Sequence, residues 1–217
     1  MENEIIRFGT QIIKYSVDDN LINKLLESSK KQTIPYNELL VANIEKELGF
    51  DVEDKKYFYP KILPFLKNYI EKFISPNEPD IDFDIEIRDM WVNFQKAGEY
   101  NPPHIHPGHL SFVLYLQMPE EIKSEKNIAF SKPHGSISFT HLEYPKIRGV
   151  LSNIELQIDN AVLPKWFYNH LPNTGDMFVF PSYINHFVES FDTPNVERIS
   201  VAGNAFLKGK YKKTSLI

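Results

Sequence analysis

The sequence of 217 residues contains no cysteine. This absence excludes disulfide scaffolds, thiolate zinc sites and cysteine nucleophiles, and it is consistent with a reducing, cytoplasmic location. The chain also lacks any run of about 18 apolar residues, so we expect no membrane-spanning segment. Residues 1–10 carry two early glutamates and no long apolar stretch, a composition that is not typical of a secretory signal.

Excess positive charge is absent too. The 24 Lys and Arg residues are outnumbered by 29 Asp and Glu residues, which gives a formal net charge of −5. We therefore expect no nucleic-acid partner. Hydrophobic residues make up 42% of the chain and aromatic residues 13%, which is enough for a sizeable core. The length favours a single domain over 1–217, and the sequence does not define the oligomeric state.

Residues 1–79 are predicted to form a leading strand and supporting helices. A β-prone mixture of residues predicts the strand over 5–17, and Asp18, Asp19 and Asn20 provide N-cap chemistry for a helix over 21–30. Two further helices are predicted over 37–48 and 60–74, the latter from one apolar stripe.

The hydrophobic period changes to two after Pro79, where Ile81, Phe83, Ile85 and Ile87 alternate with charged residues. Many short strands then predict a sandwich, jelly roll or barrel over 80–207, so the expected fold class is mainly β with N-terminal helices (α+β). An insertion near 142–173 interrupts the pattern, and its Trp166, Phe167 and Tyr168 are either lid residues or packing residues. The further strands are predicted near 90–95, 110–117, 127–130, 135–141, 176–180, 185–191 and 197–207.

Three of the seven histidines crowd into residues 104–109. On an extended backbone, His104 and His106 at positions i and i+2 point to the same side, and Pro107 biases His106 toward extended geometry. Two such imidazoles suit one ion of iron, zinc, copper or nickel. The alternative is a turn whose polar rings face solvent.

A third candidate ligand is His186, which opens a strand after the strand that ends at Pro181. Arg198 follows on another predicted strand, where an unpaired buried charge is costly. A ligand carboxylate would explain this arginine, since the planar guanidinium suits a bidentate grip. The alternative is an ordinary ion pair with a surface Asp or Glu.

Several separated segments resemble the 2-oxoglutarate/Fe(II) oxygenases related to prolyl hydroxylases. The resemblance covers residues 89–206 and implies a double-stranded β-helix, or jelly roll, with iron at its open end. It is found, in order, in Trp91-Val92-Asn93-Phe94, Gly98-Glu99-Tyr100-Asn101, His104-x-His106-Pro107, the segment 111–116, the segment 175–182, His186, and Arg198-Ile199-Ser200.

This resemblance implies a dioxygenase that uses Fe(II), 2-oxoglutarate and O2. It would hydroxylate a C–H bond of a peptide or prolyl side chain, or of a small metabolite, and would release succinate and CO2. The family's first and last metal ligands fall on His104 and His186. The cosubstrate carboxylate would pair with Arg198, with help from the Ser200 hydroxyl.

Two further residues are assigned to the cosubstrate by the same resemblance. Tyr115 stands where an inward tyrosine often touches 2-oxoglutarate, and Asn93 lies on the preceding strand, eleven residues before His104. The alternative for each is a satisfied polar group in the core. The sequence departs from the family at the middle metal ligand, which is usually Asp or Glu and is here His106. Either three histidines bind iron, or His106 lies outside the metal shell.

Three other readings remain open. A cupin-type metalloprotein would need a Glu four or five residues after His106, where the sequence has Leu110 and Ser111. A three-histidine zinc enzyme has enough ligands but gives Arg198 no role. A non-catalytic jelly-roll binding module would make the histidines incidental.

Overall fold

The computed structural model describes residues 3–8, 10–125, 134–140 and 167–212. Among these residues there are three α-helices and twelve β-strands. The helices are α1 (Asp19–Ser29), α2 (Val52–Phe73) and α3 (Glu120–Lys123), with a 3-10 turn at Asn37–Leu39. The strands are β1 (Asn3–Phe8), β2 (Thr10–Ser16), β3 (Ile34–Pro35), β4 (Lys46–Gly49), β5 (Ile81–Gln95), β6 (Asn101–His104), β7 (Leu110–Gln117), β8 (Ile137–Thr140), β9 (Phe167–His170), β10 (Asp176–Pro181), β11 (Asn185–Val188) and β12 (Arg198–Tyr211).

The strands form two antiparallel sheets. The larger sheet has the order β1-β2-β10-β7-β12-β5-β4-β3, and the smaller has the order β6-β11-β8-β9. Strands that are distant in sequence are therefore neighbours in space, as the crossovers of a jelly roll require. The predicted double-stranded β-helix with supporting helices is confirmed.

Central strands of the larger sheet are buried on both faces, because helices cover one face and the smaller sheet covers the other. On β10, Met177 and Val179 pack with α1 and α2, whereas Phe178 and Phe180 pack with residues of β8. Successive side chains of a strand point to opposite faces, so a strand covered on both sides is apolar at every position. This is why β10 reads as a continuous hydrophobic run.

Strand β5 unites two segments that the sequence predicted as separate strands. Asn204 of β12 pairs with Asp89 and Ala205 pairs with Ile87, so Arg88 is an extra residue in the ladder. Such a bulge reverses the alternation of the side chains that follow it. Odd-numbered apolar residues up to Ile87 and even-numbered ones from Met90 onward consequently face the same helical layer.

The predicted helix over 37–48 is wrong. Only Asn37–Leu39 form a 3-10 turn, and β4 pairs with the edge of β5. The Asn37 side chain holds this loop, since its Nδ2 donates to the Ile44 carbonyl oxygen at 2.7 Å and its Oδ1 accepts from Glu47 N at 3.3 Å. Local side-chain bonds of this kind compete with helix formation.

The other N-terminal expectations hold with changed bounds. The strand predicted over 5–17 is the hairpin of β1 and β2, and the first helix is α1. The strand predicted over 127–130 and residues 141–166 of the insertion region lie outside the described residues. Among the residues that the structure does describe, no helix combines the length and apolar composition needed to cross a membrane.

Helix α2 begins at Val52, eight residues before the predicted start at Pro60. Its N-cap is Asp51, whose side chain accepts a hydrogen bond from Asp54 N at 2.8 Å. Pro60 and Pro64 lie inside the helix, and each removes one backbone hydrogen bond at a cost of about 3 kcal/mol. Burial of the apolar face offsets this cost, since each fully buried large apolar side chain contributes roughly 1.5–3 kcal/mol. The buried residues of this face are Phe58, Ile62, Phe65, Leu66, Tyr69 and Ile70.

We expect Asp51→Ala to lower the free energy of unfolding by about 1 kcal/mol, because it removes the acceptor that caps α2. Asp51→Asn should retain most of the stability, since asparagine is an equally good N-cap. Urea denaturation of the three proteins measures the difference. Equal stability of parent and Asp51→Ala would mean that the helix does not depend on this cap.

Candidate metal centre and cosubstrate pocket

A cavity between the two sheets holds the residues singled out by the sequence. The larger sheet contributes Asn93, Tyr115, Arg198 and Ser200, and the smaller sheet contributes His186. All seven predicted site residues line this one cavity. The full set is Asn93, His104, His106, Tyr115, His186, Arg198 and Ser200.

Three imidazoles converge at one end of the cavity. His104 ends β6, His106 follows it in the loop, and His186 lies on β11, where it pairs directly with His104. The ring centroids are 4.2–5.0 Å apart, and the Nε2 atoms of His104 and His106 are separated by 3.2 Å. One nitrogen from each ring lies within 4.8 Å of the others, which is the spacing that a shared ion requires.

Backbone carbonyls orient two of these rings. His104 Nδ1 lies 2.7 Å from the Pro102 carbonyl oxygen, and His186 Nδ1 lies 2.9 Å from that of Ile184. A carbonyl oxygen can only accept, so Nδ1 carries the proton in each ring and Nε2 keeps its lone pair. Outer hydrogen bonds of this kind fix the tautomer of metal-binding histidines.

The surroundings keep the three rings neutral. Burial lowers the pKa of His104 and His186, and burial together with the neighbouring His104 lowers the pKa of His106 to about 3. Neutral imidazole is the form that binds a metal. The donor set therefore fits a divalent transition metal.

Arg198 is buried at the opposite end, with 2% of its surface exposed. Its guanidinium donates to the Gly135 carbonyl oxygen and to Gln95 Oε1, which are both neutral acceptors. Among the described residues no carboxylate pairs with it, so the alternative of a surface ion pair does not apply there. Burial lowers the pKa of the guanidinium, and a buried cation without a carboxylate partner in the described part of the chain makes this end of the cavity suited to an anion.

Other polar groups of the cavity have free hydrogen-bonding capacity. Within the described part of the chain, the buried Tyr115 hydroxyl, Asn93 Oδ1 and Asn101 Oδ1 have no hydrogen-bond partner. Burial raises the pKa of Tyr115 to about 12, so its phenol remains a donor. Asn93 Nδ2 donates to Ser200 Oγ at 3.3 Å. Unpartnered polar atoms in a buried cavity are costly unless a ligand satisfies them.

Sequence reasoning missed two polar residues of the cavity, Gln95 and Asn101. Gln95 could have been found, because it lies two residues after Asn93 on the same face of β5 and opposite Arg198. Asn101 follows a turn that contains Gly98 at a positive φ of 79°, so its direction depends on that turn.

A second group of possible ligands consists of Glu125, His134 and Asp192. The Glu125 carboxylate is already engaged, because it accepts from Asp192 N at 3.0 Å and from Thr193 N at 2.6 Å and lies 2.8 Å from His134 Nδ1. These contacts tie the segment after α3 to the loop before β12, and we assign them a structural role.

The predicted lid aromatics fall partly outside the described residues. Trp166 is not described, and Phe167 and Tyr168 lie on β9. The Tyr168 ring is 6.3 Å from that of Phe139, in the apolar cluster between the sheets. Tyr168 is thus a packing residue, which was the second of the two alternatives.

Comparisons with known proteins place the chain in a family. Residues 89–204 match the family described as "Putative 2OG-Fe(II) oxygenase", which is more than half of the chain. The protein therefore belongs to this family of 2-oxoglutarate- and Fe(II)-dependent oxygenases. The metal of this family is Fe(II), and its cosubstrates are 2-oxoglutarate and O2.

Solved structures share the fold. A prolyl-4-hydroxylase from Pseudomonas putida is 13% identical, covers 91% of each chain and superposes with a TM-score of 0.50. HygX from Streptomyces hygroscopicus, with nickel and 2-oxoglutarate bound, is 9% identical, with 91% of this chain and 83% of that chain covered and a TM-score of 0.51. At these identities the likeness shows the fold alone.

A curated protein matches this chain in sequence. The subunit TRA1 of the SAGA and NuA4 acetyltransferase complexes of Saccharomyces cerevisiae is 23% identical over 171 residues. The match covers 74% of this chain and 4% of TRA1. This chain thus corresponds to a very small part of that protein.

If the three imidazoles hold the metal, His186→Ala should lower the affinity for Fe(II) at least about 100-fold. Mutation of a residue that only hydrogen-bonds to a metal ligand already lowers metal affinity by up to about 100-fold, and loss of the ligand itself should cost more. His109→Ala is the matched control, because His109 lies in the same histidine cluster but packs on Phe206 and accepts from Leu207 N. Metal content after anaerobic reconstitution measures the effect, with circular dichroism as the check of folding. Unchanged iron content in His186→Ala would remove His186 from the ligand set.

Proposed function

We propose that this oxygenase hydroxylates a C–H bond of a peptide or prolyl side chain, or of a small metabolite, and converts 2-oxoglutarate to succinate and CO2. The observation that carries the proposal is the pairing of two sites in one cavity. Three neutral imidazoles lie at one end, and at the other Arg198 has no carboxylate partner among the described residues. A metal together with an anionic cosubstrate matches both ends.

In this proposal His104, His106 and His186 hold Fe(II). The bound metal supplies the redox chemistry that activates O2 at the expense of 2-oxoglutarate. The protein's own contribution is orientation, because Nδ1 of His104 and of His186 is fixed by backbone carbonyls and the rings cannot turn without losing these bonds. The aromatic rings of Phe139 and Phe180 pack on His186 and exclude water from that side.

The opposite end binds the cosubstrate. Arg198 offers a planar cation for a carboxylate. The Tyr115 hydroxyl, on the adjacent strand, is a donor with no partner among the residues described, and its ring lies 5.7 Å from the guanidinium carbon. Ser200 shares a face of β12 with Arg198, since residues at i and i+2 point the same way, and it receives a hydrogen bond from Asn93. These four residues would orient 2-oxoglutarate and contribute its binding energy.

His106 makes the proposed metal shell unusual for the family. A neutral imidazole replaces the carboxylate of the two-histidine, one-carboxylate arrangement, so the protein contributes no negative charge to the metal. The proximity of His106 Nε2 to His104 Nε2, at 3.2 Å, supports three histidine ligands. Arg198 has no carboxylate partner within the described ranges, which supports 2-oxoglutarate use over a cupin-type or zinc enzyme, neither of which gives this arginine a role.

The expected domain organisation, location and partners of the protein stay predictions. We propose one domain over 1–217 and a cytoplasmic location, with a small molecule or peptide as substrate and with no nucleic-acid or membrane partner. A succinate-release assay against candidate peptides and metabolites tests the substrate class. Its no-substrate control is the uncoupled turnover of 2-oxoglutarate.

Arg198→Lys should weaken 2-oxoglutarate binding about tenfold and Arg198→Gln about a hundredfold, because a charge-assisted hydrogen bond contributes about 1.5–3 kcal/mol. Lysine keeps the charge but loses the planar fork. Metal content should match the parent in both variants. The measurement is an anaerobic titration of the Fe(II) protein with 2-oxoglutarate, followed by its visible charge-transfer band.

Arg88→Lys is the matched control, because Arg88 lies on the protein surface with 46% of its side chain exposed. It should bind 2-oxoglutarate like the parent. A parent protein that shows no band and forms no succinate would contradict the proposed reaction. A cupin-type or zinc enzyme, or a non-catalytic module, would then be the better description.

His106→Asp restores the family's usual ligand and should bind Fe(II) at least as tightly as the parent. His106→Leu removes the ligand without a replacement and should bind much more weakly. Equilibrium dialysis under anaerobic conditions gives the three affinities. Equal affinities would place His106 outside the metal shell.

A further inference from the structure

Glu47 is a buried acid that has no cationic partner in the part of the chain that the structure describes. It lies on β4 with 0% of its surface exposed, and its Oε1 has no hydrogen-bond partner among the described residues. Its other oxygen is 3.5 Å from Asn37 Nδ2, an amide that already donates to the Ile44 carbonyl oxygen at 2.7 Å. An unpaired buried carboxyl is costly, so its presence in this position needs an explanation.

Strand register places Glu47 beside the cosubstrate pocket. Glu47 pairs with Asn93, Asn93 pairs with Ser200, and Ser200 pairs with Tyr115. We call these four residues the lateral row, since they cross β4, β5, β12 and β7 side by side. Directly opposed residues of antiparallel strands project from the same face of the sheet. Glu47 is therefore on the pocket face with the other three.

The adjacent cross-strand pair gives the same orientation for the Glu47 side chain. Lys46 pairs with Phe94, and the Lys46 ammonium lies 4.0 Å from the centre of the Phe94 ring. Phe94 belongs to the helical side of the sheet, and successive residues alternate between faces. Glu47 and Asn93 consequently share the opposite side, where Asn93 lines the cavity.

Two adjacent members of the lateral row, Glu47 and Asn93, each have one oxygen without a hydrogen-bond donor. Asn93 Nδ2 donates to Ser200 Oγ, but within the described residues neither Asn93 Oδ1 nor Glu47 Oε1 receives a hydrogen bond. An ionised Glu47 can only accept, so both groups would be acceptors without a donor. A protonated Glu47 has one O–H, and its side chain can reach the directly opposed residue. One proton thus satisfies both atoms.

Charges around Glu47 favour the protonated form. Burial raises its pKa to about 7, and the nearby Glu99 carboxylate acts in the same direction. Lys96 pairs with Glu45 on the surface, and Lys46 points to the other face. Glu38 lies in the adjacent 3-10 turn, and the β5 residues on this face, Trp91, Asn93 and Gln95, are uncharged.

We propose that Glu47 is a positioning residue of the cosubstrate pocket, which in its protonated form donates a hydrogen bond to Asn93 Oδ1 and thereby holds Asn93 and Ser200 in place for 2-oxoglutarate. The inference rests on the proposed function of this pocket. Loss of the proton would leave Asn93 Oδ1 facing an anion, so the amide would rotate to donate Nδ2 to Glu47 and would give up its hydrogen bond to Ser200. Binding of 2-oxoglutarate should therefore be tight below about pH 7 and weaker above it.

The test compares the parent with Glu47→Gln, whose amide is isosteric, can donate to Asn93 Oδ1 and cannot ionise. The dissociation constant of 2-oxoglutarate is measured by calorimetry at pH 6 and pH 8, with saturating Ni(II) in place of Fe(II) so that no turnover occurs. The parent should weaken between these values by roughly two- to tenfold, the range of one hydrogen bond. Glu47→Gln should show a smaller change and should bind more tightly than the parent at pH 8.

Glu45→Gln is the matched control, since it removes the same charge two residues away, from an exposed side chain that pairs with Lys96. It should keep the pH dependence of the parent. Equal pH dependence in parent and Glu47→Gln would overturn the role of Glu47 and leave the oxygenase intact. If Glu45→Gln reduced the pH dependence of binding as much as Glu47→Gln does, the role of Glu47 would be overturned as well, because any nearby negative charge would then have the same effect. Failure of the parent to bind 2-oxoglutarate at either pH would instead overturn the proposed function, and the inference with it.

Thermal unfolding provides a readout that needs no ligand. An acid whose pKa is raised in the folded state retains its proton there while the unfolded chain has released it, so stability falls as pH rises from about 4.5 to about 7. The midpoint temperature of the parent should fall across this range relative to Glu47→Gln. Parallel curves for the two proteins would show that Glu47 does not titrate in the folded state as proposed.

Discussion

The antiparallel pairing of β5 with β12 is the constraint on which the rest of the structure depends. From Ile87 to Gln95 the ladder lies between two environments, because helices cover one face of the sheet and the cavity opens on the other. Val92 and Phe94 face the helices, while Asn93 and Gln95 face the cavity. The apolar positions of β5 change from odd to even numbers after Ile87. The bulge at Arg88 compensates for this change, so the apolar side chains before and after it face the same helices.

The same pairing determines the charge pattern of the cavity. It brings Arg198 opposite Gln95 and Ser200 opposite Asn93, so a buried cation is surrounded by neutral polar groups. The smaller sheet adds three imidazoles whose lowered pKa values keep them uncharged. A cavity whose described lining has one cation without a carboxylate partner and a neutral donor set is suited to a divalent metal and an anion together, and this electrostatic balance distinguishes it from a simple apolar pocket.

Errors of the sequence reasoning have identifiable physical causes. The apolar stripe predicts α2 only from Pro60, whereas the helix begins at Val52, since burial of the apolar face offsets two internal prolines. Residues 37–48 do not form a helix, because Asn37 bonds to its own loop and β4 gains backbone partners from β5. In both cases tertiary contacts outweighed local propensity.

The sequence by itself determined the class of fold and the chemistry of the site. The change of period at Ile81 indicated the sheets, and the spacing of His104, His106, His186 and Arg198 indicated metal and anion binding, because residue type and alternation are local properties. The tertiary structure decided which groups meet. Only strand register brings Glu47 beside Asn93 and leaves Arg198 without a carboxylate among the described residues, since register depends on contacts between residues that are far apart in the chain.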